Sequence, residues 1–191
     1  MAIVVHPWPG PLPAWGGEVL VISVVNGDGD GDGKGAQRTQ ARARIRTAVR
    51  AALAHVLGIA IERIAVHSNP GSAPHVAIEG WSLVPGLSIS HAGAVSMVAI
   101  NPHGAVGLDL VEVRATSDWA RVAHDYLGVA CATRLAALPE LERARAFAQA
   151  WAEREACLKL YGEPLAEWTP LPDCRVLGLE LPLELAGALA L

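Results

Sequence analysis

The chain has 191 residues, 52% of them hydrophobic and 18% charged, with a formal net charge of −4 at pH 7. That composition excludes intrinsic disorder, allows a substantial core in one domain or two small halves, and gives no general case for nucleic-acid binding. The cysteines, Cys131, Cys157 and Cys174, are widely spaced, form neither a metal-binding pattern nor an even disulfide set, and read as reduced thiols of a cytoplasmic protein.

Met1 to Pro7 lacks a basic region and breaks at Pro7, so no signal peptide is expected. Residues 7–17, rich in Pro, Gly and Trp, read as extended, and Glu18 to Val25 as a β-branched strand. Asn26 to Gly35 then alternates Asp and Gly. From Asp28 to Gly33 it resembles the start of a calcium loop. The twelfth position is Thr39 where such a loop needs a bidentate Glu, and no helix precedes it, so a polar loop is expected instead.

From Arg38 to Leu57 the pattern becomes helical, with Ile45, Ala48, Val49, Ala52, Leu53 and Val56 as the buried stripe and Gly58 as the stop. Arg42, Arg44, Arg46 and Arg50 crowd this helix without interleaved Glu. They form either a solvated basic face or an anion site, and the excess of Arg favours the anion site. Arg63 to His67 reads as a strand, followed by the turn-rich Ser68 to Pro74. Leu87 to Ser90 and Val95 to Ile100 read as two strands joined at His91 to Ala94.

Val106 to Val113 is an apolar, largely β-branched run that predicts a buried strand. Asp109 interrupts it. A buried carboxylate is costly without a partner, so Asp109 requires a cation, a metal or hydrogen-bond donors. A short helix is expected over Asp118 to Leu127, with Ser117 or Asp118 as N-cap. A longer helix, Leu141 to Tyr161, contains no Gly or Pro and ends at Gly162 and Pro164. Cys174 to Leu181 reads as a last strand, with the second half trimmed after Pro182. The apolar tail, Leu181 to Leu191, is too short to span a bilayer, and no membrane segment is expected.

On the long helix Trp151, Glu155 and Lys159 are four residues apart and share one face. By themselves Glu155 and Lys159 would be an ordinary solvated pair. With Asp109 on a strand, however, Glu155 makes a hard-oxygen set of the kind that suits Mg²⁺. Trp151 is expected to pack, and Arg154, about 100° around the helix, to face solvent or a partner. His55, His67, His75, His103 and His124 show no metal-ligand spacing and receive no role.

Three stretches occur in order: Ser88-Ile89-Ser90-His91 at a strand end, Gly107-Leu108-Asp109 in a strand, and Trp151 to Lys159 on a helix. This triple resembles the 4′-phosphopantetheinyl transferases, whose pattern is Ser-x-Ser-His, Gly-x-Asp, then aromatic-x-x-(Lys/Arg)-Glu-(Ala/Ser)-x-x-Lys. The resemblance implies the larger family type: an α+β fold of two similar α/β halves related by a pseudo-twofold, residues 1–104 and 105–191. The implied reaction moves 4′-phosphopantetheine from coenzyme A to a serine of an apo acyl or peptidyl carrier protein, with Mg²⁺, releasing 3′,5′-ADP.

By the same resemblance, Asp109 and Glu155 are metal ligands, and Glu155 is alternatively or additionally the general base. Lys159, His91 and Ser90 contact phosphate. Arg42 and Arg44 are the candidates for holding the coenzyme A phosphates. Glu155, Lys159 and His91 form the catalytic set. The family's Gly-Lys-Pro lysine is absent, since Ser72-Ala73-Pro74 stands there, and Lys34 or an arginine is the expected substitute. Larger members carry an acid two residues after the strand Asp. Here that position is Val111, and Glu112, one residue later, should turn to the opposite face unless the strand bulges. The expected protein is a cytoplasmic monomer without nucleic-acid or membrane partners. Rival readings are a module that binds coenzyme A or a carrier protein without catalysis, and a metal-dependent phosphohydrolase.

Overall fold

A computed structural model describes residues 3–26, 34–68, 73–82 and 84–191, the side chains of 34–38 excepted. The Asp/Gly stretch of 27–33, the Lys34 side chain and Ser72 therefore lie outside the described residues. The chain divides into two compact units, Val4–Val106 and Gly107–Leu191 together with Ile3. Both mix helices and sheets, so the fold is α+β.

The first unit contains β1 (His6–Trp8), β2 (Leu20–Val25), α1 (Lys34–Leu57), β3 (Ile64–His67), β4 (His75–Ile78), β5 (Gly86–Ala92) and β6 (Val95–Asn101). A four-stranded sheet runs β1-β2-β6-β5, parallel between β1 and β2 and antiparallel elsewhere, while β3 and β4 form a separate antiparallel pair. The expected α1 stripe is the one buried: Ile45, Ala48, Val49, Ala52 and Leu53 pack with Leu20, Ile22, Val98 and Ile100. At about 25 cal/mol per Å² of apolar surface, the Ile, Val and Leu side chains among these each contribute roughly 1.5–3 kcal/mol on burial. Arg50 holds the far end of α1 down, donating through Nε to Ile64 O (2.8 Å) and through Nη2 to Ile61 O (3.1 Å). Its fork is thus committed to backbone. His91 lies inside β5, paired with Ser96, rather than in the turn, which falls at Gly93 and Ala94.

In the second unit come β7 (Gly107–Glu112), α2 (Trp119–Val122), a π-helical turn (Ala123–Leu127), α3 (Val129–Ala136), α4 (Glu140–Tyr161), β8 (Val176–Gly178) and β9 (Leu185–Ala190). The sheet order is β7-β9-β8, all antiparallel. This corrects the expectation of a half trimmed after Pro182. The tail is the central strand, buried along its whole length, with Ala186, Ala188 and Ala190 opposite Val111, Asp109 and Gly107. An alanine-rich run lacks the β-branched signature of a strand, and central position rather than propensity fixes it here. Asp118 stands at the N-cap of α2 without a side-chain cap bond and pairs instead with Arg121 (3.4 Å).

Helix α4 is built by local rules. Glu140 and Glu142 occupy its positive first turn, and Lys159 its negative last turn. Gly162 takes the left-handed conformation (φ 70°) and donates to Lys159 O, while Glu163 N reaches Leu158 O at 2.9 Å, which completes a Schellman cap. Its Ala148, Ala152 and Ala156 are buried, the latter two packed with Ala188 and Ala190 of β9. These small side chains let α4 approach the sheet closely. A Cβ on Gly107 would sit 2.8 Å from both the Ala156 carbonyl carbon and the Leu160 nitrogen, and closer still to the Ala156 oxygen.

The cysteines depart from expectation. Cys157 of α4 and Cys174, 17 residues later, form a disulfide, and only Cys131 among the three is free. The chain leaves α4 at Gly162 and returns along the helix before β8, and that return brings the two sulfurs together.

Candidate active site

The close contact between β7 and α4 sets the site of the second unit. Gly107, Asp109 and Val111 alternate onto the face of β7 that meets α4, with Val111 packed against the Ala152 and Ala156 cluster. Asp109 therefore projects toward α4 and is buried, with 7% exposure. Its Oδ1 accepts from Lys159 Nζ at 2.7 Å, and the same ammonium donates to the Leu108 carbonyl at 3.0 Å. Lys159 is thus not paired with Glu155 along the helix. Its partner is across the strand–helix contact, where the low dielectric and the buried carboxylate make the stronger attraction.

Glu155 lies one turn before Lys159 and is half-buried. Burial pushes its carboxyl above the usual range, and the charge of Asp109 pushes it further, against the smaller opposing effects of Lys159 and Arg154. Two carboxyl groups close enough to oppose each other's ionisation, with one ammonium between them and the helix, leave a net negative site. A hard divalent cation suits that donor set: it satisfies carboxylate oxygens, removes the repulsion, and keeps its other positions for water or phosphate. Asp109 and Glu155 fit such an ion. Among the described residues no group of three or more His, Cys, Asp or Glu could hold a metal.

Glu112 behaves as strand parity requires. β7 pairs with β9 residue for residue from Gly107–Ala190 to Glu112–Leu185, with no bulge, and Glu112 pairs with Arg114 at 2.7 Å. Trp151 packs with Tyr126 and Phe147, ring centroids 5.9 and 6.1 Å away. Arg154 corrects the expectation that it faces solvent or a partner. It is half-buried and donates through Nη1 to Thr169 O (2.9 Å), tying the segment after α4 back onto the helix, while its Nε is buried without a hydrogen-bond partner. Burial lowers its pKa from the usual guanidinium value.

In the first unit Ser90 is buried and His91 exposed on β5. His91 Nδ1 lies 2.6 Å from Ser96 Oγ, and the Ser96 hydroxyl donates to Asn26 Oδ1 at 2.9 Å. A hydroxyl has one proton, and it is spent on Asn26. Ser96 must therefore accept from His91 Nδ1–H, which sets the tautomer of the ring. Sequence reasoning missed Ser96 and Asn26, which are 70 residues apart; the register that places Ser96 opposite His91 needs the hairpin. Arg42 is exposed on α1 and Arg44 half-buried. Arg46 donates through Nε to the Arg42 carbonyl (2.9 Å), a bond within the helix.

No curated protein matches the chain. Residues 105–181, from the start of β7 past β8, match the family model of the 4′-phosphopantetheinyl transferase superfamily. That segment holds Asp109, Glu155 and Lys159.

Proposed function

We propose that this protein transfers 4′-phosphopantetheine from coenzyme A to a serine hydroxyl of an apo acyl or peptidyl carrier protein, releasing 3′,5′-ADP. The match of residues 105–181 to the superfamily model supports phosphopantetheinyl transfer in general. The observation that carries the finer reading is the buried Asp109 ion-paired to Lys159 with the raised carboxyl of Glu155 one turn away. Asp109 and Glu155 would hold Mg²⁺, which when bound neutralises pyrophosphate charge and aligns the phosphate under attack.

The remaining roles belong to the chain's own groups. Glu155 is alternatively or additionally the base that takes the proton from the carrier serine, directly or through a water. Lys159 holds Asp109 in place and offers its ammonium to a phosphate oxygen as charge develops there. His91, its Nδ1–H given to Ser96, donates to phosphate through Nε2 when the ring is an imidazolium, Ser90 adds a hydroxyl contact, and Arg42 and Arg44 hold the coenzyme A phosphates. With this activity go the expected division into residues 1–104 and 105–191 and a monomeric protein.

Incubating the protein with coenzyme A, Mg²⁺ and an apo carrier, and weighing the carrier by mass spectrometry, tests the proposal. Transfer adds one phosphopantetheine group to the carrier. Asp109→Ala and Glu155→Ala should each lower the rate about 10²-fold or more, the loss of several kcal/mol of charge stabilisation. An unlabelled carrier with intact coenzyme A would reveal a binding module. Consumption of coenzyme A without labelling would reveal a hydrolase.

A further inference from the structure

The β3–β4 pair has an outer face that plays no part in the activity proposed above. Its strands are in register: Ala65 stands opposite Ala77, and His67 opposite His75. Val66, Val76, Ile64 and Ile78 turn inward, whereas Ala65, His67, His75 and Ala77 are exposed. Residues directly opposite on one face have Cβ atoms about 4.5–5.5 Å apart. The two imidazoles accordingly lie side by side, centroids 4.9 Å apart and planes inclined by 23°.

Two further features bear on what the pair can do. Among the described residues neither ring has a hydrogen bond or an ion pair, so both keep a nitrogen lone pair for a ligand. The neighbouring positions on the face are alanines, which leave room over the rings for an ion and its waters. Stacked imidazoles repel each other when both are protonated, and a shared cation turns the same proximity into a gain.

We propose that His67 and His75 form a surface site for an imidazole-preferring divalent transition ion, copper(II), nickel(II) or zinc(II), apart from the Asp109 and Glu155 carboxylates. Neutral imidazole suits these ions and carboxylate with water suits Mg²⁺, so each ion class has its own site. Metal–nitrogen bonds of about 2.0–2.1 Å require the two ligating nitrogens to come together, and both side chains are exposed and stand directly opposite each other on one face. Water completes the coordination. The sequence spacing conceals this site because the two histidines meet through a strand pair rather than along one element.

Copper(II) alone is the probe, added to the full chain at saturating Mg²⁺ so that hard-oxygen sites are already filled. Electron paramagnetic resonance should show one copper bound with two equatorial imidazole nitrogens. His67→Asn or His75→Asn should reduce this to one nitrogen and weaken binding about 10²-fold, since a second tethered ligand is worth that much in effective concentration. His124→Asn, on an exposed histidine elsewhere, should change neither reading. A wild-type spectrum with a single nitrogen, or unchanged copper affinity in both His67→Asn and His75→Asn, would overturn the proposal. The nitrogen count in the wild-type protein decides the matter even if a variant folds poorly.

Discussion

The contact between Gly107 and α4 can be tested with one methyl group. In Gly107→Ala the new Cβ would lie 2.8 Å from the Ala156 carbonyl carbon and from Leu160 N, where ordinary contact begins at 3.4 Å. Both are main-chain atoms near the C-terminal end of a 22-residue helix, so no rotamer change relieves the clash. The strand and helix must separate by more than roughly half an ångström, overpacking of a kind that costs about 1–3 kcal/mol. Since backbone yields less than side chains, the upper end applies. At roughly 2–4 °C per kcal/mol this lowers the melting temperature by about 6–12 °C. The same separation carries Asp109 away from Lys159 and Glu155. A displacement near 1 Å at a catalytic group lowers rate about 10²-fold. Gly178→Ala is the control: it lies on β8 of the same sheet, and a Cβ there meets nothing within 4 Å. Thermal melts and the carrier-labelling assay on both variants give the answer. If Gly107→Ala melts within about 2 °C of the wild type and keeps its transfer rate, the close approach of α4 to β7 is wrong, and with it the account of how the site is set.

Three further perturbations follow. The raised carboxyl of Glu155 contributes stability that is fully present below its unfolded pKa and is lost as pH rises through its folded value. Without Mg²⁺, Glu155→Gln should therefore gain in melting temperature over the wild type as pH rises from about 4 toward neutrality; a constant difference across that range would contradict the burial and Asp109 repulsion described above. Glu112→Ala should leave the Mg²⁺ concentration for half activity unchanged, whereas Val111→Glu, on the face of Asp109, should lower it. A large rise in Glu112→Ala would refute the two-carboxylate set. Cys174→Ser opens a loop of 17 residues and should cost about 3 kcal/mol, or about 6–12 °C, seen also on reduction of the wild type; an unchanged melt would remove the disulfide from the stabilising interactions.

Elements governed by local rules were legible. The α1 stripe, the long α4 and its glycine stop, and the isolated Asp109 in an apolar strand could all be read from spacing and residue type. Elements decided by distant partners were not. The terminal Leu-Ala-Gly-Ala-Leu-Ala run has weak strand propensity and becomes the central strand because β7 and β8 flank it. Val129–Ala136 is a helix of only eight mostly small residues, which buries Cys131 and Leu135. The Cys157–Cys174 bridge and the His91–Ser96–Asn26 chain depend on how the backbone returns, which no local pattern encodes.

Lys159 shows how a pair that helical spacing allows can lose to a partner on another element. Its spacing from Glu155 satisfies the helical i,i+4 rule, an attraction of a few tenths of a kcal/mol at a solvated surface. Asp109 offers more, because a carboxylate at 7% exposure cannot rely on water for its stabilisation. Left without Lys159, it would be a buried charge with a second carboxyl nearby. The ammonium therefore crosses to β7, and Glu155 keeps the penalty of burial and like charge that raises its pKa. Local order along a helix is overridden where a neighbouring strand buries a charge. At this site the small residues that bring α4 onto β7 are what hold Glu155 in that position.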